Sequence, residues 1–137
     1  MASTQEIRRL YNALINTGNV KYDVLPDGVA AKTLTAKNVA WTYGTWVEIK
    51  DALAANSWLV GIAISNPSDV NADYDIAIGT GAAESEAAIA EVPYYDGLIM
   101  LPYAIYMASG ARVAGNCRSS SGVADTVACK IIIVTGL

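Results

Sequence analysis

The sequence predicts an all-β protein: a two-sheet antiparallel sandwich, jelly-roll-like in topology, with a short N-terminal amphipathic helix. Three observations lead there. Only one stretch, at the start, carries an apolar stripe of helical period. Beyond Lys21 the period becomes two. The short β-rich runs that follow are punctuated by Gly, Pro, Asn and Asp, a spacing that suits about eight strands in two packed sheets.

The helix comes first. Ser3 and Glu6 fit a capping box, each side chain able to satisfy a backbone N–H that the helix start leaves free. Ile7, Leu10, Tyr11, Leu14 and Ile15 fall on one face, with Arg8, Arg9, Asn12 and Asn16 opposite. Thr17-Gly18-Asn19 supplies the stop. A helix over 4–16 is expected, within an arm of residues 1–20 that precedes a sandwich domain of residues 21–137. Alone, so short a helix is marginal in water. Its five stripe residues are therefore the candidate interface, docking on a partner or on the chain's own sandwich.

Leu25-Pro26-Asp27-Gly28 reads as a turn, because Pro fixes φ and Gly accepts positive φ. Strands are expected over 32–38, 45–50, 58–65, 74–78, 87–91, 98–107, 111–118 and 126–134. Residues 82–90, rich in Ala and Glu, also suit a short helix. Alternation in the 58–65 strand puts Trp58, Val60, Ile62 and Ile64 on one face and Leu59, Gly61 and Ala63 on the other. Both are apolar, as in a strand covered on both sides. The last strand divides into Val127, Cys129, Ile131 and Ile133 against Ala128, Lys130, Ile132 and Val134. A terminal strand apolar on both faces needs a cover, which a neighbouring subunit would supply.

Composition narrows the function. The 137 residues are one domain by length. Hydrophobic residues reach 53% and charged residues only 16%, against a usual quarter or so. Some apolar surface is thus expected to be covered by a partner. A net charge of −4 argues against nucleic acid. Apolar runs such as 131–134 are far too short for a spanning helix, so no membrane is expected. The N-terminus lacks the layout of a secretory leader, which points to synthesis in a reducing cytoplasm. Two cysteines, Cys117 and Cys129, are too few for a disulfide scaffold. They flank the Ser119-Ser120-Ser121-Gly122 tip with core parity; two buried thiols are expected over a cross-strand disulfide. There is no histidine, which removes the commonest general base and transition-metal ligand.

Each candidate site has a plain structural reading. Asp69, Asn71, Asp73 and Asp75 alternate oxygen ligands like a calcium loop, but Tyr74 stands where Gly is needed and Thr80 where a closing Glu is needed. Gly79-Thr80-Gly81-Ala82-Ala83-Glu84 lacks the third glycine of a dinucleotide loop. Glu84, Glu86, Glu91 and Asp96 could in principle pair as a glycosidase acid and base, but four carboxylates among thirteen acids need no special explanation, and the serine tip has no histidine to activate it. Trp41, Tyr43 and Trp46, and separately Tyr94, Tyr95, Tyr103 and Tyr106, suit core or interface, with a sugar-stacking platform as the alternative. No enzymatic activity, cofactor or metal is expected.

Residues 74–86, with the strand Tyr74-Asp75-Ile76-Ala77-Ile78 ending in Gly79-Thr80-Gly81-Ala82-Ala83-Glu84-Ser85-Glu86, carry a family resemblance. It continues through Leu101-Pro102-Tyr103-Ala104-Ile105, Ala108-Ser109-Gly110-Ala111-Arg112-Val113-Ala114, the serine tip and the last apolar strand. Over 41–137 the chain resembles the jelly-roll structural proteins of tailed-bacteriophage virions, which recur as head-decoration (cement) subunits and as fibre or spike modules. Cys117 and Cys129 are outside that pattern, Asn116 stands where a second Arg is expected, and the N-terminal helix has no counterpart. The resemblance implies a virion protein made in the host cytoplasm. It would form a homo-oligomer, often a trimer, on the major capsid protein or another virion protein. A capsid decoration subunit is the leading expectation; a glycan- or receptor-binding fibre module, or a minor tail or neck component, is the alternative.

Overall fold

The computed structural model describes residues 4, 5, 8, 9, 20–94 and 96–136. Thr4, Gln5, Arg8 and Arg9 are helical and exposed, whereas Ile7, Leu10, Tyr11, Leu14 and Ile15 lie outside the described residues. The strands are β1 (Lys21–Leu25), β2 (Lys32–Thr35), β3 (Val47–Lys50), β4 (Ser57–Ser65), β5 (Tyr74–Thr80), β6 (Ala87–Pro93), β7 (Gly97–Met107), β8 (Val113–Ser119) and β9 (Thr126–Thr135).

They form two antiparallel sheets packed as a sandwich. One has the order β1-β9-β4-β7, with β2 also on β9; the other has the order β3-β8-β5-β6. From β2 onward every connection except the β5–β6 hairpin crosses from one sheet to the other, which is the jelly-roll path. Because strand direction alternates, the β2–β3, β4–β5, β6–β7 and β8–β9 connections gather at one end. Backbone bonds tie them there: Trp41 N–H to Ser119 O (2.7 Å), Ser120 N–H to Asp73 O (2.9 Å), Ser68 N–H to Thr126 O (2.9 Å) and Tyr94 N–H to Tyr74 O (2.8 Å).

Alternate residues of the strands fill the space between the sheets. Leu34, Leu59, Ile62, Ile64, Val127 and Ile131 of the first meet Ile76, Ile78, Val113 and Cys117 of the second, all fully buried. Burying a large aliphatic side chain contributes about 1.5–3 kcal/mol, so this layer is the main source of stability.

Several sequence expectations change. In β4 the register slips between Leu59 and Gly61, so Val60 is an extra residue and parity inverts across it. Leu59, Ile62 and Ile64 face the core, while Trp58, Val60, Gly61 and Ala63 face outward. β9 lies inside its sheet, between β4 and the β1/β2 edge, so its edges are covered within the chain. The serine tip joins strands of different sheets, so Cys117 on β8 and Cys129 on β9 are not cross-strand neighbours. The strand expected over 87–91 is present as 87–93, the pairing on β5 deciding against the helical alternative.

β1 is an added strand, continuous with β2 along one edge. Leu25 pairs with Ile131 and Lys32 with Cys129, so residues 26–31 leave and rejoin that edge across a single partner, Lys130. The Lys130 ammonium closes this excursion by donating to Val29 O at 2.7 Å and Pro26 O at 3.5 Å.

Candidate functional site

The outward face of the β1-β9-β4-β7 sheet carries many apolar side chains outside the core. Register lines them up in rows. Tyr22, Val134, Trp58 and Tyr106 stand opposite one another across the four strands, and Val24, Ile132, Gly61 and Met100 form the next row. Lys130, Ala63 and Leu98 form a third. The Trp58 and Tyr106 rings meet edge-on, 5.3 Å between centroids. Val60 and Val134 are buried at the centre with Val20, beside Ala104 and Ile132. The flanks are open: Tyr22 and Val24 on β1, and Leu98, Met100, Tyr103 and Tyr106 on β7, are all exposed. A monomer that leaves such a surface to water is unusual.

Strand β7 is also a sheet edge, paired among the described residues only with β4. Between Met100 and Ile105 four residues of β7 oppose Val60 alone, and the bulge contains Pro102. Proline lacks the N–H a new strand would need, so the edge is interrupted for ladder extension while its side chains stay available.

The opposite outer face, on β3-β8-β5-β6, is built differently. Small residues Ala77, Gly79 and Ala114 line it, and residues 41–46 cross over them. Asn116 Nδ2 donates to Gly44 O at 2.9 Å. A Cβ on Gly79 would stand 2.8 Å from the Trp46 ring, so glycine is what permits this close approach. At the same end Arg112 donates to Glu86 at 2.7 Å and to Glu48 at 3.0 Å. The two carboxylate partners raise its pKa against the opposing effect of burial.

At the loop-bearing end Arg118 on β8 pairs with Asp75 Oδ2 on β5, at 2.9 Å from Nε and 2.8 Å from Nη2. Its guanidinium carbon lies 5.0 Å from the Tyr43 ring centre and 5.8 Å from that of Trp41. Tyr43 Oη is buried with no hydrogen-bond partner among the described residues. Burial first, then the charge of Glu91, pushes its pKa up to about 12. Nearby, Asp125 accepts hydrogen bonds from Ser119 Oγ at 2.7 Å, Ser68 Oγ at 3.4 Å and Ser121 Oγ, pinning two of the connections to β9.

The sequence candidates are thus dispersed. Asp69 accepts the Asn71 N–H in a local turn, and Asp75 is committed to Arg118. Gly79 belongs to β5, while Gly81 takes φ 131° in the turn after it. Glu86 is an ion-pair partner of Arg112, away from Glu91 on β6. Cys117 and Cys129 are free and buried on opposite sheets, and burial pushes each thiol up to about 12. Trp41 and Tyr43 converge on Arg118, Trp46 caps Gly79, and Tyr94 packs on Tyr74 with 5.7 Å between rings. Sequence reasoning missed the Arg118–Asp75 pair, which no local spacing reveals because 43 residues separate the partners. No family model and no curated protein matches the chain.

Proposed function

We propose that the protein is a non-enzymatic virion structural protein, a capsid decoration subunit that stabilises a phage shell through oligomeric contacts. The observation that supports this reading is the apolar outer face of the β1-β9-β4-β7 sheet with its exposed β7 flank. Water contact there is costly, and covering it with a second copy or a capsid surface recovers about 25 cal/mol per Å² of apolar area. The interrupted β7 edge favours side-chain packing over open-ended strand addition, and side-chain packing closes into symmetric oligomers. Val20 packs on Val60 and Val134 at this face, and the stripe of Ile7, Leu10, Tyr11, Leu14 and Ile15 is a second apolar surface that a partner would cover. A decoration subunit multiplies this contact over many equivalent positions, so modest individual affinities accumulate.

Sedimentation of the purified chain tests the proposal. A closed homo-oligomer is expected at micromolar concentration, a trimer on the resemblance, with Leu98→Glu and Tyr106→Glu giving folded monomers. A wild-type monomer that also fails to co-sediment with capsids would overturn it.

A further inference from the structure

The loop-bearing end holds a cleft that the assembly surface does not use. It measures about 370 Å³ and is lined by Trp41, Asp73, Tyr74, Asp75, Pro93 and Tyr94. Three of the four connections at that end, β2–β3, β4–β5 and β6–β7, supply these residues, with β5 and β6 beneath them. Loops fixed to a rigid sandwich are where binding residues concentrate.

Trp41 is the unusual member. It is 47% exposed, the largest side chain left so open at this end. Its φ is 55°, a left-handed backbone that a bulky side chain adopts at a cost. The conformation is held from both sides: Trp41 N–H donates to Ser119 O at 2.7 Å, and Arg118 supports the ring at 5.8 Å. A half-exposed indole is thus held in a fixed pose at this end.

The polar groups around it are only partly used. Arg118 reaches Asp75 through Nε and Nη2, both on Oδ2, so among the described residues Asp75 Oδ1 and Arg118 Nη1 have no partner. Asp73 is fixed by its backbone, with its N–H on Ser120 Oγ at 2.9 Å and its carbonyl accepting Ser120 N–H at 2.9 Å. Its carboxylate has no hydrogen-bond partner among the described residues. The cleft thus combines a half-exposed indole with fixed acceptors, and Arg118 lies beside it, bound to Asp75 and against the Trp41 ring.

We propose that this cleft binds a neutral hexopyranose unit of a glycan, with Trp41 as the stacking platform and Asp73, Asp75 and Arg118 as hydroxyl partners. A pyranose offers one face of C–H groups to an indole and a rim of hydroxyls that donate and accept together. Other ligand classes fit less well. An anion meets Asp73 and Asp75. A quaternary ammonium would meet the positive charge of Arg118, which already lies against the Trp41 and Tyr43 rings. A metal ion would need a third ligand, and the described residues contain no cluster of three metal-binding side chains.

The test titrates the full-length chain with methyl glycosides of glucose, galactose and mannose while indole N–H resonances are followed by NMR. At least one glycoside should shift the Trp41 resonance with saturation, equally in 50 and in 500 mM salt (~0.05–0.5 M, a span that would weaken a charge-driven contact). Trp41→Ala and Asp73→Asn should each weaken that binding by about tenfold or more. Asp73→Asn keeps the backbone bonds that hold the loop, so it decides the matter if Trp41→Ala unfolds. The proposal fails if no glycoside perturbs Trp41, if binding survives Asp73→Asn unchanged, or if raising the salt abolishes the effect.

Discussion

At the scale of single residues, two positions illustrate how little chemistry separates tolerance from damage. Gly79 sits in β5 under the Trp46 ring, and a methyl group there would also stand 2.9 Å from Ala87 O. Ring and backbone cannot both yield cheaply. Gly79→Ala is expected to cost about 1–3 kcal/mol, as overpacking does, and to shift Trp46 fluorescence; unchanged urea unfolding would contradict the close packing. Asp125 is governed by competing effects. Burial would raise its pKa, but hydroxyl donors from Ser121, Ser119 and Ser68 favour the charged form and hold it below the ordinary 3.8. A carboxyl that ionises more readily folded than unfolded contributes its stability above the ordinary value and loses it as pH falls through the folded one. Asp125→Asn should therefore lower the melting temperature at neutral pH and flatten the acid limb below pH 3.8. An acid limb identical to wild type would remove Asp125 from the account.

At the scale of elements, β7 and the N-terminal segment carry the assembly proposal between them. β7 exposes four large side chains and cannot extend the sheet through Pro102. The segment before Val20 has the one helical stripe in the sequence, with five apolar residues seeking a surface. Deleting residues 2–17 should leave the β-sheet circular dichroism intact and weaken oligomerisation or particle binding. Unchanged assembly, or a chain that no longer folds, would instead assign the stripe to its own sandwich. The elements also show what could be read in advance. Strands β2 to β9 announced themselves, because alternation and turn residues are local signals. β1 did not: Lys21-Tyr22-Asp23-Val24-Leu25 is short, half polar and strand only by virtue of β9 beside it. The face assignment of β4 failed for a related reason. A bulge at Val60 leaves no mark in a run where every neighbour is apolar.

At the scale of the whole molecule, the sandwich was legible because burial on one face leaves a period in the sequence, whereas sites are assembled across distance. Arg118 finds Asp75 from the neighbouring strand, and Trp41 reaches both from a loop on another connection. Nothing in the spacing of those residues announces the meeting. The apolar excess in the composition has a counterpart in the exposed side chains of β1 and β7, whose gathering on one sheet face only the strand order reveals.

The split edge formed by β1 and β2 has a consequence for how this chain can be altered. Each half is registered on β9 independently, and the six residues between them rejoin the ladder across Lys130 alone. Length at that point is thus uncoupled from register. A foreign peptide spliced between Asp27 and Gly28 would hang outside the sheet while both halves kept their partners. If copies of this chain coat a particle, each would carry that peptide, making the excursion a natural place for surface display.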